Sequence, residues 1–225
     1  GGYVVLRSGP WFALMRYPRY RFRPSHCDAL HVDLWYESDN LLRDGGTYSY
    51  ATDDVWQAYF PGTASHNTIQ FDSRDQMPRL GRFLWGAWLR TAELEPLVIE
   101  REGPVVRAMY RDWKGARHSR RVRLNARGLM VEDDIDEFGE HAVLRWRLKP
   151  GAWQIERRED GTQQRVVVSD GSYTLEVRAD MPIARSELVQ GWESRYYLQK
   201  TLLPVLEIEV NYPGSLVTEV IRHKE

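Results

Sequence analysis

Little in this chain can be cross-linked, embedded or steered by bulk charge. The single cysteine, Cys27, allows no internal disulfide and leaves the redox compartment open. No run of about 18 apolar residues occurs, which excludes a membrane-spanning helix. A formal net charge of −1 removes any whole-molecule field that would draw nucleic acid or a membrane surface. There is no internal repeat, no linker-like stretch and no long segment with a helical period. An initiating Met and a leader pattern are also missing: Gly1-Gly2-Tyr3-Val4-Val5-Leu6-Arg7 already reads as a strand, so the chain is expected to be a piece of something longer.

What is present is aromatic and alternating. Nine Trp and twelve Tyr suit pleated sheets first and sugar-binding surfaces second. Apolar and polar residues alternate through Leu30–Tyr36, Arg121–Leu124, Val143–Leu148 and Leu206–Val210, the pattern of half-buried antiparallel strands. Turn signals punctuate them at Asp44-Gly45-Gly46, Pro61-Gly62, Glu102-Gly103-Pro104, Pro150-Gly151, Asp160-Gly161, Asp170-Gly171 and Pro213-Gly214. Gln163–Val168 and Tyr173–Arg178 read as a hairpin. The expectation is an all-β, antiparallel β-sandwich of two or more sheets, with residues 1–225 as a single domain.

One stretch concentrates chemistry. Between residues 21 and 76 fall His26-Cys27-Asp28, Asp44 and His66, each beside a strand-like segment. A strand from His66 to Phe71 and an extended His26-x-Asp28 would bring His26, Asp44 and His66 together. Two imidazoles and a carboxylate suit either acid–base chemistry or a zinc ion with its fourth position free. Asp28 is the nearest partner for a neighbouring imidazole. His31 is placed on the opposite strand face as a hydrogen-bonded structural residue. His118, His141 and His223 sit among charges and read as solvated, and Cys27 as a small core residue. The long aromatic loop from Gly45 to Ser65 offers Tyr50 and Tyr59 as groups that hydrogen-bond a substrate or catalyse. Arg21 and Arg23, in the alternating basic–aromatic run from Arg16 to Arg23, offer forks for anionic sugars against a solvated strand face. The acidic run Glu132–Glu137 lacks calcium-loop spacing and reads as a charged hairpin end.

The order of these pieces resembles the C-terminal region of the heparinase II/III-like polysaccharide lyases. The resemblance rests on Gly2-Tyr3 with Leu6-Arg7, His26-x-Asp28-x-Leu30-x-Val32-x-Leu34, Leu42-x-Asp44-x-Gly46-Thr47-x-x-Tyr50, Ala64-x-His66-Asn67-Thr68 with Asp72, Asp75-Gln76-Met77, Gly81-Arg82-Phe83-Leu84-Trp85 and Gly191-Trp192-x-Ser194-x-Tyr196-Tyr197. It spans roughly residues 2 to 212, and Asp-x-Gly-Thr followed by His-Asn-Thr is its most specific part.

The resemblance implies a β-sandwich that follows an N-terminal α/α toroid, with the cleft between them and a periplasmic or secreted setting. It implies a structural zinc at His26, Asp44 and His66, and substrate positions at Gln76 and Arg82. It also implies β-elimination on an acidic polysaccharide such as a glycosaminoglycan or alginate, with the principal Tyr and His supplied by the toroid. One departure matters. Many members carry a further His two positions before the first ligand; here that position is Pro24, which moves no proton. The isolated domain is therefore expected to be inactive. The rival expectations are a non-catalytic carbohydrate-binding or scaffold module, and a hydrolase using zinc-held water.

Overall fold

The computed structural model describes residues 2–160 and 163–223. The chain runs through β1 (Tyr3–Ser8), β2 (Trp11–Arg16), β3 (Val32–Tyr36), β4 (Asp39–Leu42), α1 (Asp54–Tyr59), β5 (Ile69–Phe71), β6 (Arg79–Gly81), β7 (Leu84–Trp85), β8 (Thr91–Glu100) and β9 (Gly103–Arg111). It continues through β10 (Arg117–Asn125), β11 (Gly128–Asp136), β12 (Ala142–Arg147), β13 (Gln154–Asp160), β14 (Gln163–Ser169), β15 (Tyr173–Ala179), β16 (Ile183–Glu193), β17 (Thr201–Val210) and β18 (Gly214–Arg222). These form an antiparallel β-sandwich of several sheets, ordered β1-β2-β3-β4, β13-β14-β15-β18-β11-β10-β9-β8, β16-β17-β12-β5 and β6-β7. No helix among the described residues is long and apolar enough to cross a membrane.

Alternation explains most of the layering. β2 buries Trp11, Ala13 and Met15 and leaves the residues between them half exposed, and β15 does the same with Tyr173, Leu175, Val177 and Ala179. One contiguous core joins side chains from the three larger sheets, among them Trp11, Val32, Val122, Val131, Leu144 and Ile208. Trp146 is fully buried between layers and satisfies its indole N–H on Thr218 Oγ1 at 3.1 Å. The hairpin read from Gln163 and Tyr173 is present as β14–β15.

Four local expectations need correction. His66 precedes its strand by three residues, closing a 3-10 turn over Thr63–Ser65. The run Arg16–Arg23 leaves the ladder after Arg16, so it is no strand face. His118 is fully buried against Asp133, whose acidic run lies within β11 rather than at a hairpin end. Finally, β12 is buried on both faces, which places Arg147 in the interior where alternation had put it in solvent.

Candidate metal and sugar site

The site is built where four loops meet at one end of the first sheet. After β2 the chain passes through His26 and Asp28 to a turn at Ala29-Leu30, with Leu30 at φ 58°. That left-handed conformation is costly for a branched side chain. It is held by Leu30 N–H donating to Arg16 O at 2.7 Å and by Arg120 Nη1 donating to Leu30 O at 2.6 Å. The turn brings His31 to the same place as His66, with ring centroids 5.6 Å apart. The opposite-face placement of His31 therefore fails, because the alternation begins only at Val32. Its reading as a hydrogen-bonded residue holds.

Asp44 follows β4 and is fixed by its own turn. Gly46 N–H donates to Asp44 Oδ1 at 2.6 Å. Gly46 sits at φ 75°, and a Cβ there would collide with the Ser194 carbonyl, so the strap admits only glycine. Asp44 Oδ2 accepts from His66 Nδ1 at 2.8 Å, and His31 Nε2 stands 3.5 Å from the same oxygen. An ionised carboxylate only accepts, so the His66 proton is on Nδ1. His66 Nε2 is left as a bare lone pair, buried without a partner.

His26 completes the constellation one step outward. Its ring lies 5.3 Å from that of His66 and its Nε2 is 3.3 Å from Thr47 Oγ1. The tightest group is a different trio: donor atoms of His31, Asp44 and His66 all lie within 4.8 Å of one another. Asp28 does not serve an imidazole. Its carboxylate is paired with Arg16, and Oδ1 is buried without a partner.

Electrostatics keep His26 and His31 neutral. Burial, with the charge of His66 adding to it, lowers His26 to about 4. Burial lowers His31 to about 3 against the pull of Asp44. Burial alone would raise Asp44, but the charge and hydrogen bond of His66, with His31 and His26, bring it well below the carboxylate range. Burial raises Asp28 to about 6, opposed by His66 and Arg16. The neutral imidazoles of His26 and His31, the ionised Asp44 carboxylate and the orphaned His66 Nε2 are the chemistry of a zinc site.

Two cavities share His26 as a wall. One, of about 280 Å³, is lined by Arg23, Pro24, His26, Tyr50, Arg82 and Phe83 among others. The other, of about 420 Å³, meets Arg16, Asp28, His31, Asp33 and Asp44. A larger cleft of about 1390 Å³ lies elsewhere, against Trp88 and Trp113, and contains no imidazole. Arg23 carries no hydrogen bond or ion pair among the described residues, and Arg82 bonds only Gln57 Oε1 (2.5 Å) and Thr52 O (3.2 Å). Tyr50 is 62% exposed and faces Phe83 and Tyr197.

The remaining expected site residues lie elsewhere. Arg21 is exposed with no partner among the described residues and does not line the smaller cavity. Gln76 is buried: its Oε1 accepts from Ala29 N–H at 2.9 Å, and its Nε2 donates to Ala29 O and Tyr110 Oη, each at 3.0 Å. Tyr59 Oη accepts from Arg147 Nη1 (3.0 Å) and Trp192 N–H (2.9 Å), which occupies both lone pairs. Cys27 is a buried core residue as expected.

Sequence reading missed the supports beneath the site. Arg120, fully buried, donates to both Asp133 carboxylate oxygens and to the carbonyls of Leu30 and Asn67. Asn67 takes part through every group it has, including Nδ2 to Val32 O (2.8 Å) and Oδ1 from Arg147 N–H (2.6 Å). Lys200 Nζ rests 3.4 Å from the Trp56 ring centroid, within reach of Tyr48 and Trp192. The His-Asn-Thr sequence signalled Asn67, and nothing local signalled Lys200; the one local sign of Arg120 is that it falls on the Val122–Leu124 face of β10.

Solved structures share this fold at low identity. The heparinase III BT4657 gene product superposes with a TM-score of 0.75 at 16% identity, over 100% of this chain and 35% of that one. A crystal structure of heparinase III gives 0.70 at 17%, over 98% and 35%. A mutant of the heparan sulfate lyase HepC from Pedobacter heparinus gives 0.68 at 16%, over 100% and 36%. The chain thus spans about a third of the length of the structures it matches. No curated protein matches it. The profile of the heparinase II/III-like C-terminal family matches residues 1–215, and the chain belongs to that family.

Proposed function

We propose that this domain forms one wall of a cleft that holds an acidic, uronate-containing polysaccharide, within a protein that cleaves it by β-elimination. The observation that carries this reading is the cavity beside His26, where Arg23 and Arg82 stand without a carboxylate partner next to the exposed ring of Tyr50. Guanidinium forks match carboxylate geometry, and an aromatic face stacks on a pyranose ring. The solved structures named heparinase III and heparan sulfate lyase support the same substrate class by fold.

His26, Asp44 and His66 would hold a zinc ion. When bound, it supplies a fixed positive centre that ties three loops together at the cavity edge. The chain's own residues then bind and orient. Arg23 and Arg82 neutralise anionic groups, Tyr50 stacks, and Gly46 and Thr47 keep the Asp44 turn against His26. Pro24 lines the cavity and moves no proton, so the base and acid of elimination come from outside this domain. The domain alone therefore binds without cleaving, and 1–225 acts as a single unit beside an α/α toroid.

The second reading is a non-catalytic carbohydrate-binding or scaffold module with the same zinc. Pro24 and the Tyr59 hydroxyl, whose two lone pairs are already taken by Arg147 and Trp192, favour it. Ultraviolet absorbance of unsaturated uronide products, measured with the full-length protein on heparan sulfate and alginate, separates the two. Product formation supports the lyase; binding with no product from any uronate polymer supports the module. Metal analysis of the purified protein with His66→Ala as control tests the zinc, and a metal-free wild type would overturn it.

A further inference from the structure

The convergence of His31, Asp44 and His66 makes His31 look like a ligand, yet its hydrogen bonds exclude it. The Asn67 backbone N–H donates to His31 Nδ1 at 2.9 Å in the buried interior. A nitrogen that accepts carries no proton, so the ring proton of His31 is on Nε2. Nε2 is the atom that faces Asp44 Oδ2 at 3.5 Å. It presents an N–H there and has no lone pair to give a metal.

The residue that sets this tautomer is itself held from below. Arg120 Nη1 donates to Asn67 O and to Leu30 O, both at 2.6 Å, so one guanidinium nitrogen fixes the residue that donates to His31 and the residue that precedes it. Asp133 fixes the guanidinium in turn, accepting at 2.6 Å from Nε and 3.0 Å from Nη2, and His118 Nε2 lies 2.6 Å from Asp133 Oδ1. All three side chains are fully buried.

We infer that His31 is a positioning residue, tautomer-locked by the Arg120–Asn67 frame so that its N–H orients Asp44 for a metal held by His26, Asp44 and His66. This rests on the zinc reading above. The lock also sharpens that reading, because it separates the close trio from the ligating one. A ligating carboxylate with a fixed hydrogen-bond donor binds metal more tightly than a free one.

The test has two arms on the 225-residue protein. The first is long-range ¹⁵N–¹H NMR of the imidazoles in metal-free protein, which does not depend on zinc binding. His31 is expected as the Nε2–H tautomer; an Nδ1–H tautomer overturns the proposal. The second is zinc titration with cobalt spectra. His31→Gln, whose amide donates but offers no ring nitrogen, is expected to stay within about threefold of wild type with an unchanged cobalt spectrum. His31→Leu should weaken zinc about ten- to hundredfold, and His26→Ala and His66→Ala should abolish binding. A His31→Gln variant that loses zinc as completely as His66→Ala overturns the proposal. So does a folded His31→Leu with wild-type affinity. Should the wild type bind no zinc, the metal reading fails and the tautomer alone decides whether the lock exists. Arg120→Met with Asp133→Leu removes the frame while filling its volume. A folded double variant that keeps the His31 tautomer unchanged overturns the role given to Arg120.

Discussion

Arginines in the ladders and arginines in the loops live in different electrostatic worlds. On the sheets they face glutamates across the strand register: Arg107 opposite Glu95, Arg121 opposite Glu132, Arg145 opposite Glu207, and Arg185 opposite Glu209. Each of these makes an ion pair, Arg145 with Glu207 at 2.7 Å among them. Directly opposed side chains on a pleated face are within reach of one another, so alternation of charge yields pairing. Arg19, Arg21, Arg23, Arg82 and Arg90 lie outside the named strands, are exposed, and meet no carboxylate among the described residues. The chain is near neutral overall, yet the loops around the small cavity keep uncompensated positive charge. Register cancels charge in these strand pairs, whereas outside the strands cancellation depends on a carboxylate lying within reach, as one does for Arg43 and Arg74 but not for those five.

Arg120 is the extreme of the paired kind, and breaking its pair should have the largest effect. Asp133→Ala leaves a guanidinium buried with no counter-charge and should cost about 3–5 kcal/mol in urea unfolding. A cost below about 1 kcal/mol would show that the core tolerates the lone cation.

The free arginines should behave oppositely. Arg23→Ala with Arg82→Ala should leave unfolding within about 0.5 kcal/mol of wild type. The same variant should weaken a heparan sulfate oligosaccharide about tenfold in calorimetry, roughly 1.4 kcal/mol. The loss should shrink with added salt, since exposed charges are screened. Unchanged affinity would remove the cavity from the sugar path.

This contrast explains what was legible in the sequence. The strands were, because Leu206–Val210 and Arg121–Leu124 alternate and the core obeys them. The approach of His26, Asp44 and His66 was legible as order along the chain. His31 was misplaced because a single positive-φ residue, Leu30, resets the face of every side chain after it, and no period in sequence announces that turn. Arg147, Arg120 and His118 were hidden for other reasons. Arg147 looks solvent-facing by alternation, yet β12 is buried on both faces. Arg120 and His118 share the inward face of Val122 and Leu124 in β10, and only their polar chemistry disguised it. Gln76 was placed at the substrate by resemblance, and its interior partners, Ala29 and Tyr110, lie too far away in sequence to announce its burial.

The cavity on the other face of His26 supplies the acidic counterpart of the free arginines. Burial, and then the charge of Asp44, raises Asp33 to about 7. The unfolded carboxyl titrates near 3.9. Between those values the folded protein holds more protons, so this group's contribution falls as pH rises from about 4 to about 7. Asp33→Asn removes the penalty. In metal-free protein it should stabilise by about 1 kcal/mol at pH 8, the partial exposure of the group keeping this far below full conversion. The gain should vanish below about pH 4. A gain that persists there would assign the effect to packing.

The smallest effect belongs to the outer, half-buried ladder, and it decides whether the comparison concerns place or merely charge. Arg123 pairs with Glu100 at 2.8 Å and Glu102 at 2.7 Å on the outer face of β10. Arg123→Ala should cost about 0.2–1 kcal/mol in unfolding, less in high salt. It removes the same formal charge as Arg23→Ala, so the two variants change the molecule's overall field equally. If pairing governs, Arg123→Ala leaves oligosaccharide affinity at the wild-type value while Arg23→Ala lowers it. Equal losses from the two would mean that bulk charge draws the polymer, and the free arginines around His26 would have no special claim on it.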